Sequence, residues 1–250
     1  MRMNKNQQFR EATRWMPLPV LLMGLIGSQA AQDLGNKVFL FPGESSTSYV
    51  ILKPEVKAPL RKLSVCLRSY TELSRSYSLF SLAMAGSNQD NAFLIFPEPP
   101  NFSYVYVNQK ESKIKTDLDV LDWKHTCVTW DSETGVIQLW VNGKLYPRRL
   151  SQKGFSFTTE MRIILGQDQD SFGGGFDSKQ SFVGEISDVH MCDYVLTPEN
   201  IQKVVAGDYT GNVINWRSLN FEIKGNVLIE PKLQCKSWGY TASLYTQCFN

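Results

Sequence analysis

Short runs of residues with strand character recur along most of this sequence, and this recurrence restricts the fold more than any other feature. Each run combines apolar, β-branched or aromatic residues, and turn residues separate it from the next. Such spacing predicts an all-β chain folded as an antiparallel sandwich of two sheets. The predicted strands comprise residues 38–41, 49–52, 63–70, 77–84, 93–96, 103–107, 136–141, 161–165 and 181–191.

Two local signals define the connections. Asn142 and Gly143 accept the positive φ angles of a type I′ turn, which predicts a tight hairpin after residues 136–141. One helix is predicted after Thr197, which can cap it, with Pro198 at the first helical position and Gly207 at the end. We therefore expect one short helix laid on a sheet.

The first thirty residues differ in composition from the rest. Four basic residues precede an apolar run at residues 17–27, and Ser28 and Ala30 supply the small side chains that signal peptidase reads. The apolar run is shorter than the roughly 20 residues needed to span a bilayer, and Pro17 and Pro19 interrupt it. Residues 1–30 are therefore predicted to be a cleaved signal peptide, which makes the mature chain a secreted protein.

The charge of the mature chain argues against two classes of partner. Removing residues 1–30 takes away four basic residues and one acidic residue, so 26 Lys and Arg become 22, and 24 Asp and Glu become 23. The net charge then changes from +2 to −1, since 22 minus 23 is −1. Without a basic field, neither nucleic acid nor an anionic membrane is a predicted partner.

All five cysteines remain after this cleavage. Cys66 and Cys127 lie in runs with strand character, which suits a bridge between neighbouring strands in an oxidising compartment. Cys235 and Cys248 lie close together in a tail rich in Ser, Thr and Tyr, and we expect them to pair with each other. Five is an odd number, so one cysteine stays free or pairs between chains, and on this pairing it is Cys192.

Acidic and amide side chains crowd a glycine-rich loop at residues 166–180, which contains no Cys or His. Asp168 and Asp170 can converge on one ion, with the carbonyl of Gln169 between them, and such oxygen ligands suit calcium. The spacing is not that of an EF-hand, because Lys179 occupies the place of the bidentate Glu. The same composition is typical of a solvated hairpin loop, so this window leaves both interpretations open.

Residues 125–132 read His-Thr-Cys-Val-Thr-Trp-Asp-Ser and match the signature His-x-Cys-x-Ser/Thr-Trp-x-Ser/Thr at every specified position. Segments at residues 39–42, 47–50, 70–73, 89–91, 164–167, 169–174 and 195–196 agree in order and spacing. Through these residues the chain resembles the pentraxin family, and in particular its short secreted members. The resemblance covers residues 31–233, which we expect to form one pentraxin domain, followed by a C-terminal tail at residues 234–250.

The resemblance implies both a fold and a metal site. The fold is a lectin-like jelly-roll sandwich with one helix on the face away from the ligand, a Cys66–Cys127 disulfide and a homo-oligomer, usually a pentamer. The site holds two adjacent Ca²⁺ ions per subunit. By position, the first ion would be bound by Asp90, Asn91, Asp168, the Gln169 carbonyl and Asp170, and the second by Asp168, Asp170, Asp177 and Gln180.

Charge arithmetic agrees with this implied metal site. The four carboxylates carry four negative charges against four positive charges on two calcium ions, so open coordination positions can accept an anionic ligand oxygen. Asp168 and Asp177 stand where family members usually have Glu, and Asp is shorter by one methylene. Because the second ion depends on both, we expect it to bind more weakly.

The resemblance also implies phosphocholine, phosphoethanolamine or related anionic and glycan ligands. Phe96 stands at the position of an apolar wall, and counting onward without a gap places Tyr106 and Glu111 at the other pocket positions. A quaternary ammonium over an aromatic face gains about 0.5–2 kcal/mol, and Glu111 would add an electrostatic contact. The alternatives are that Phe96 belongs to the core and that Glu111 is a solvated charge beside Lys110 and Lys113.

Two further features bear on partners. Asn101 begins the only glycosylation sequon, Asn-Phe-Ser, and we expect it to lie near the ligand site, where a glycan would restrict access. Asn142 and Val205 replace an aspartate and a tyrosine that family members use for complement engagement. The resemblance therefore does not extend to complement contacts at these two positions.

An enzyme is a distinct alternative. A glycan-cleaving enzyme on the same sandwich would need two carboxylates at a fixed separation. No Glu-x-Asp-x-Glu motif occurs, and the nearest candidate, residues 184–188, fits an ordinary alternating strand. We therefore expect a recognition protein of innate immunity without catalytic activity, with a structural adhesion module, in which calcium only stabilises loops, as the remaining alternative.

Overall fold

The computed structural model describes residues 30–86 and 88–233, together with the backbone of residues 235–236 and 247–248. Its architecture is the predicted sandwich of antiparallel sheets with a short helix, α1 (Pro198–Ala206). The strands in chain order are β1 (Lys37–Phe41), β2 (Tyr49–Leu52), β3 (Lys62–Tyr70), β4 (Phe80–Met84), β5 (Phe93–Glu98), β6 (Phe102–Val107), β7 (Lys110–Lys115), β8 (Lys124–Asp131), β9 (Val136–Val141), β10 (Lys144–Leu145), β11 (Arg149–Leu150), β12 (Met161–Leu165), β13 (Gly184–Cys192), β14 (Phe221–Lys224), β15 (Leu228–Pro231), β16 (Cys235–Lys236) and β17 (Gln247–Cys248).

Two large sheets form the layers of the sandwich. The seven-stranded sheet has the order β14-β2-β12-β4-β5-β6-β7. The eight-stranded sheet has the order β10-β9-β8-β3-β13-β1-β15, and β11 also pairs with β9. Neighbouring strands come from distant parts of the chain; β12, for example, lies between β2 and β4. This crossing places loops that are far apart in sequence at the same edge of a sheet.

The core lies between the sheets and follows the two-residue period of the strands. In β6, Ser103, Val105 and Val107 are buried, whereas the alternate residues are only half-buried. Aromatic rings fill much of the core, and Phe39 meets Trp216 edge to face with centroids 5.1 Å apart. Burying a large apolar side chain contributes about 1.5–3 kcal/mol, so this layer supplies most of the stability.

The helix has the predicted ends. Thr197 caps α1, since its Oγ1 accepts a hydrogen bond from the backbone N–H of Asn200 at 3.2 Å. Gly207 ends it in the left-handed region at φ 83°. Ile201 and Val204 face inward and pack on the outer surface of the eight-stranded sheet, against Cys66, Cys127, Trp140, Cys192 and Leu196. The helix therefore covers one outer face of the sandwich.

The Cys66–Cys127 disulfide is confirmed and lies under this helix. The two residues stand directly opposite each other in the register of β3 and β8. Cys192 is a free, buried cysteine, as predicted, and burial raises the pKa of its thiol. The backbone register of β16 and β17 places Cys235 opposite Cys248, but their side chains lie outside the described residues, so this pairing stays a prediction.

Two of the differences between the predicted and the observed strands have a clear local cause. The strand predicted from residue 77 begins at Phe80, because the backbone N–H of Tyr77 and that of Ser78 donate to Pro97 and Gln180 rather than joining a regular ladder. Strand β7 was not predicted, since charged residues obscure the alternation of its buried positions. The hairpin at Asn142 is confirmed, with φ angles of 49° there and 79° at the next residue.

Of the predicted signal peptide, residues 1–29 lie outside the described residues. Within the described part of the chain, α1 and every other helical segment are too short or too polar to cross a membrane.

Candidate metal centre and ligand face

The acidic loop at residues 166–180 lies across the outer face of the seven-stranded sheet, opposite the face that carries α1. Gln169 anchors it: its Nε2 donates to the carbonyls of Ser81 and Arg162, both at 3.1 Å, and its Oε1 accepts from the N–H of Gly173 at 2.9 Å. Ser81 and Arg162 belong to the neighbouring strands β4 and β12. The buried glutamine therefore fixes the position of the acidic residues on either side of it.

Two glycines allow the loop to pack this closely. Gly175 has φ +75°, and a Cβ there would lie 2.9 Å from the Cβ of Asp170. Gly166 has φ +85°, and a Cβ there would lie 2.3 Å from the ring of Phe41. Both positions need a residue without a side chain, because the left-handed conformation and the close approach are each unfavourable for any other residue.

Four acidic side chains converge beside this anchor. Asp90 comes from the turn between β4 and β5, and the other three come from the acidic loop. Burial, followed by the negative charges of Asp170 and Asp90, raises the pKa of Asp168 to about 7. Burial, followed by the charges of Asp90 and Asp177, raises the pKa of Asp170. The carboxylates are thus close enough to repel one another, and a divalent cation between them would remove the repulsion.

Three buried oxygens among the residues expected to bind calcium lack hydrogen-bond partners. Among the described residues, Asn91 Oδ1, Asp168 Oδ1 and Gln180 Oε1 accept no hydrogen bond, and neither do Oε1 of Gln89 and Gln167, their neighbours in sequence. A buried acceptor without a partner costs about 1–3 kcal/mol. Oxygen atoms are the ligands that calcium prefers, so the donor set present here fits this ion.

The two residues expected to bind only the second ion, Asp177 and Gln180, lie nearer to solvent. Asp177 is exposed and precedes a short 3-10 helix (Ser178–Gln180), where one of its carboxylate oxygens accepts from the N–H of Lys179 at 2.9 Å. Gln180 is half-buried, and its carbonyl accepts from the N–H of Ser78 at 2.9 Å. Asp168, by contrast, is only 6% exposed. This part of the centre is therefore less enclosed than the part around Asp168.

The structure brings two of the predicted pocket residues together. Tyr106 on β6 stands opposite Glu111 on β7, and its hydroxyl donates to Glu111 Oε2 at 3.0 Å. Burial, this hydrogen bond and the nearby charges of Glu111 and Asp168 raise the pKa of Tyr106. Phe96 is half-buried on the outer face of β5 and is paired in register with Tyr104, whereas Phe93 and Ile95 form the core side of that strand.

Gln109 is a neighbour of the centre that the sequence did not reveal. It lies in the turn between β6 and β7, and its Nε2 donates to Asp90 Oδ1 at 3.1 Å. Asn91 Nδ2 approaches the other oxygen of Asp90 at 3.3 Å. The available signal was the pair Asn108-Gln109 between two alternating runs, and both residues have positive φ angles.

Asn101 lies at the end of β6 remote from Tyr106, and the expectation that it lies near the ligand site stays a prediction. Asn101 immediately precedes β6, whereas Tyr106 lies near the other end of that strand. The five-residue separation corresponds to about 17 Å along an extended chain. Asn101 lines a cavity of about 270 Å³ at the far edge of the sandwich, together with Tyr77, Phe102 and Tyr146.

A compact group of possible metal ligands lies on the helix-covered face, but its chemistry is different. Cys66, His125 and Cys127 have ligand atoms within 4.8 Å of one another. The two cysteines are joined in a disulfide, so their sulfurs are not thiolates. Burial lowers the pKa of His125 to about 3, which keeps the imidazole neutral. This group is structural in the oxidised protein.

Comparison with known proteins identifies the relatives of this chain. The model of the Pentaxin family, also written pentraxin, matches residues 37–231. The chain belongs to the pentraxin family. C-reactive protein from Xenopus laevis is 56% identical over 227 residues, which are 90% of this chain and 95% of the relative. Serum amyloid P-component from Rattus norvegicus is 41% identical over 220 residues, covering 88% of this chain and 95% of the relative.

A solved structure supports the same assignment. The heptameric SAP-like pentraxin from Limulus polyphemus aligns with a TM-score of 0.72 and 25% identity, covering 81% of this chain and 98% of that chain. The sandwich is therefore the pentraxin jelly roll. Like C-reactive protein and serum amyloid P-component, this pentraxin is a lectin-like recognition protein of innate immunity and not an enzyme.

Proposed function

We propose that this pentraxin is a secreted recognition protein that binds phosphocholine, phosphoethanolamine or related anionic and glycan ligands through two adjacent Ca²⁺ ions. The observation that carries the proposal is the set of buried oxygens without partners at Asn91, Asp168 and Gln180. All three belong to the residues that the family resemblance assigns to calcium. A fold tolerates such oxygens poorly unless something else supplies a positive partner.

The donor set is assigned to the ions as follows. The first ion takes oxygens from the turn between β4 and β5 and from the acidic loop. The second ion shares two carboxylates of the acidic loop with the first ion and takes its other ligands from the more exposed end of that loop. A bound calcium ion supplies positive charge and open coordination positions for an anionic oxygen of the ligand. The residues proposed for the first ion are Asp90, Asn91, Asp168, Gln169 through its carbonyl and Asp170, and those for the second are Asp168, Asp170, Asp177 and Gln180.

The part of the ligand beyond this anionic oxygen would lie against Tyr106, Glu111 and Phe96. Tyr106 adjoins both Glu111, through its hydrogen bond, and Asp168, through its charge. The positive calcium ions would therefore bind the negative phosphate oxygen, and the negative carboxylate of Glu111 would bind the positive amine at the other end of the ligand. The apolar ring of Phe96 would contact the methylene or methyl groups of the amine end.

The assembly is proposed to be a ring of identical subunits, most simply a pentamer. The Limulus relative is heptameric, so the number of subunits varies among proteins with this fold. A ring would present several ligand faces at once, and simultaneous attachment raises the overall affinity for a surface that repeats the ligand. We propose no nucleic-acid partner, because the mature chain lacks a basic field.

The direct test is binding to immobilised phosphoethanolamine, first in calcium and then in chelator. We expect binding in calcium and release in chelator, measured by surface plasmon resonance. Binding that persists in chelator would overturn the calcium bridge. Absence of binding in both conditions would overturn the proposed ligand class and favour a structural adhesion role.

A substitution separates the amine end of the ligand from the anionic end. In Glu111→Gln, the carboxylate is lost while the side chain keeps its length. We expect a several-fold weaker affinity for phosphoethanolamine and an unchanged affinity for inorganic phosphate, because only the former has an amine. Lys203→Gln, an exposed change on α1, is the control.

A further inference from the structure

The ligand face continues beyond the proposed pocket as a regular array of side chains on β5, β6 and β7. Strand register places these residues in three cross-strand rows, and the outward-facing positions alternate with buried ones along each strand. Successive rows are two residues apart, or about 7 Å. The rows are Leu94, Tyr106 and Glu111, then Phe96, Tyr104 and Lys113, and then Glu98, Phe102 and Lys115.

The charge of the face reverses along these rows. The first row adjoins the carboxylate centre and carries the negative charge of Glu111. The second and third rows carry Lys113 and Lys115, both exposed, against the single negative charge of Glu98. The face is therefore negative at the pocket and has a net positive charge about 7–14 Å farther along.

Aromatic rings contact one of these lysines. Lys113 Nζ lies 4.2 Å from the centroid of the Phe102 ring and 4.9 Å from that of the Tyr104 ring. It also forms an ion pair with Glu98 Oε2 at 3.1 Å. These contacts thus place the ammonium over an aromatic surface while the side chain remains 44% exposed. A cation beside half-buried rings is suited to an anionic group carried on a sugar.

We propose that Lys113, Lys115, Tyr104 and Phe102 form a second subsite, which binds an anionic group on an extended glycan whose first charged group is held at the calcium centre. This inference rests on the proposed function. Two observations commit the subsite to this occupant: its positive charge complements an anion, and its rows are continuous with the pocket through the shared strands. The whole face then favours a ligand with negative, positive and negative groups in that order.

The test compares two probes in calcium by isothermal titration calorimetry. The first is phosphoethanolamine alone, and the second is the same group attached to a disaccharide that carries a further phosphate at its far end. We expect the wild-type protein to bind the second probe roughly five- to thirtyfold more tightly, from two partly exposed ion pairs. The advantage should shrink as ionic strength rises.

Variants assign that advantage to particular residues. Lys113→Ala with Lys115→Ala should remove the advantage and leave the affinity for phosphoethanolamine unchanged. Lys203→Ala, on the opposite face, should change neither affinity. Tyr104→Leu should reduce the advantage while retaining both lysines.

The outcomes separate the two proposals. Equal affinity of the wild-type protein for the two probes would overturn the second subsite and leave the calcium pocket intact. An advantage retained in the double lysine variant would overturn it as well. Failure of the wild-type protein to bind either probe in calcium would overturn the proposed function together with the subsite that rests on it.

Discussion

The helix-covered face and the loop-covered face of this sandwich differ in how their groups are satisfied. Under α1, the sheet is sealed by apolar contacts, a disulfide and a neutral buried histidine. Under the acidic loop, carboxylates repel one another and buried oxygens lack partners. On the first face, Thr129 Oγ1 is a buried atom without a hydrogen-bond partner among the described residues, but the side chains that pack under the helix carry no charges that repel one another, whereas the second face is costly until a cation binds.

This difference shows where stability and function are separated in the fold. The disulfide and the apolar contacts stabilise the helix face, and this stabilisation does not depend on a ligand. The loop face has unfavourable terms of a few kcal/mol that a bound cation would offset, which couples its order to calcium. Substitutions on the two faces should therefore affect different measurements.

The largest effect on stability should come from the helix face. Cys66→Ala with Cys127→Ala opens a loop with a sequence separation of 61 residues. Such a loss costs about 4 kcal/mol of unfolding free energy in the chain-entropy model. Urea unfolding should show this decrease, while calcium-dependent ligand binding by the folded variant stays unchanged. A variant that loses ligand binding while folded would break the separation between the faces. Cys192→Ser is the control for removing a buried sulfur.

The largest effect on binding should come from the loop face. Asp170→Ala removes a carboxylate that both proposed ions share, so affinity for phosphoethanolamine in calcium should fall roughly a hundredfold or more, about 3 kcal/mol. Asp208→Asn, an exposed change just after α1, should have no effect. Unchanged affinity in Asp170→Ala would show that the ligand assignment is wrong.

A smaller effect should sharpen the comparison within the loop face itself. Asp177 is exposed and one methylene shorter than the Glu that the family usually has there. Asp177→Glu should extend the carboxylate toward the second ion and tighten its binding roughly three- to tenfold, about 1 kcal/mol. Calcium titration calorimetry would detect this change in the weaker of the two sites. A weaker second site in the variant would contradict the assignment of Asp177.

The last effect, which is expected only when calcium is removed, concerns pH, to which the two faces should respond in opposite directions in chelator. Burial lowers the pKa of His125 to about 3 and that of His190 to about 4, so the unfolded chain takes up protons first and the helix face loses stability as pH falls below about 6.5. Asp168, whose pKa is raised to about 7, keeps a proton in the folded state that the unfolded chain releases. The loop face therefore loses stability as pH rises from about 4 through 7.

Asp168→Asn isolates the loop-face response. Its unfolding free energy in chelator should rise relative to that of the wild-type protein between about pH 5 and pH 7.5, because the variant has no proton to lose at this position. Urea unfolding at several pH values would measure the difference. A constant difference across this range would contradict the raised pKa of Asp168.

The sequence predicted the helix face more completely than the loop face. The helix ends follow from local chemistry at Thr197 and Gly207, and the disulfide follows from two strand-like runs. The convergence of Asp90 with the acidic loop depends on β4 and β12 pairing across the sheet, which no local pattern contains. Only the family resemblance linked these segments in advance.

The contacts around the pocket were harder to predict for a related reason. Gln109 contacts Asp90 from the turn before β7, and the charged residues of β7 obscure the alternating pattern that would have predicted this strand. The position of Asn101 depends on which end of β6 lies beside the carboxylate centre. Both are questions of strand register. Register is set by pairing between distant residues, so composition and spacing alone did not determine it.

Counting bound calcium tests the central claim most directly. Equilibrium dialysis of the mature protein against radioactive calcium should give two ions per chain, one bound more tightly than the other, and Asp170→Ala should weaken both. A wild-type protein that binds no calcium, or a variant that binds both ions as tightly as the wild type, would contradict the account.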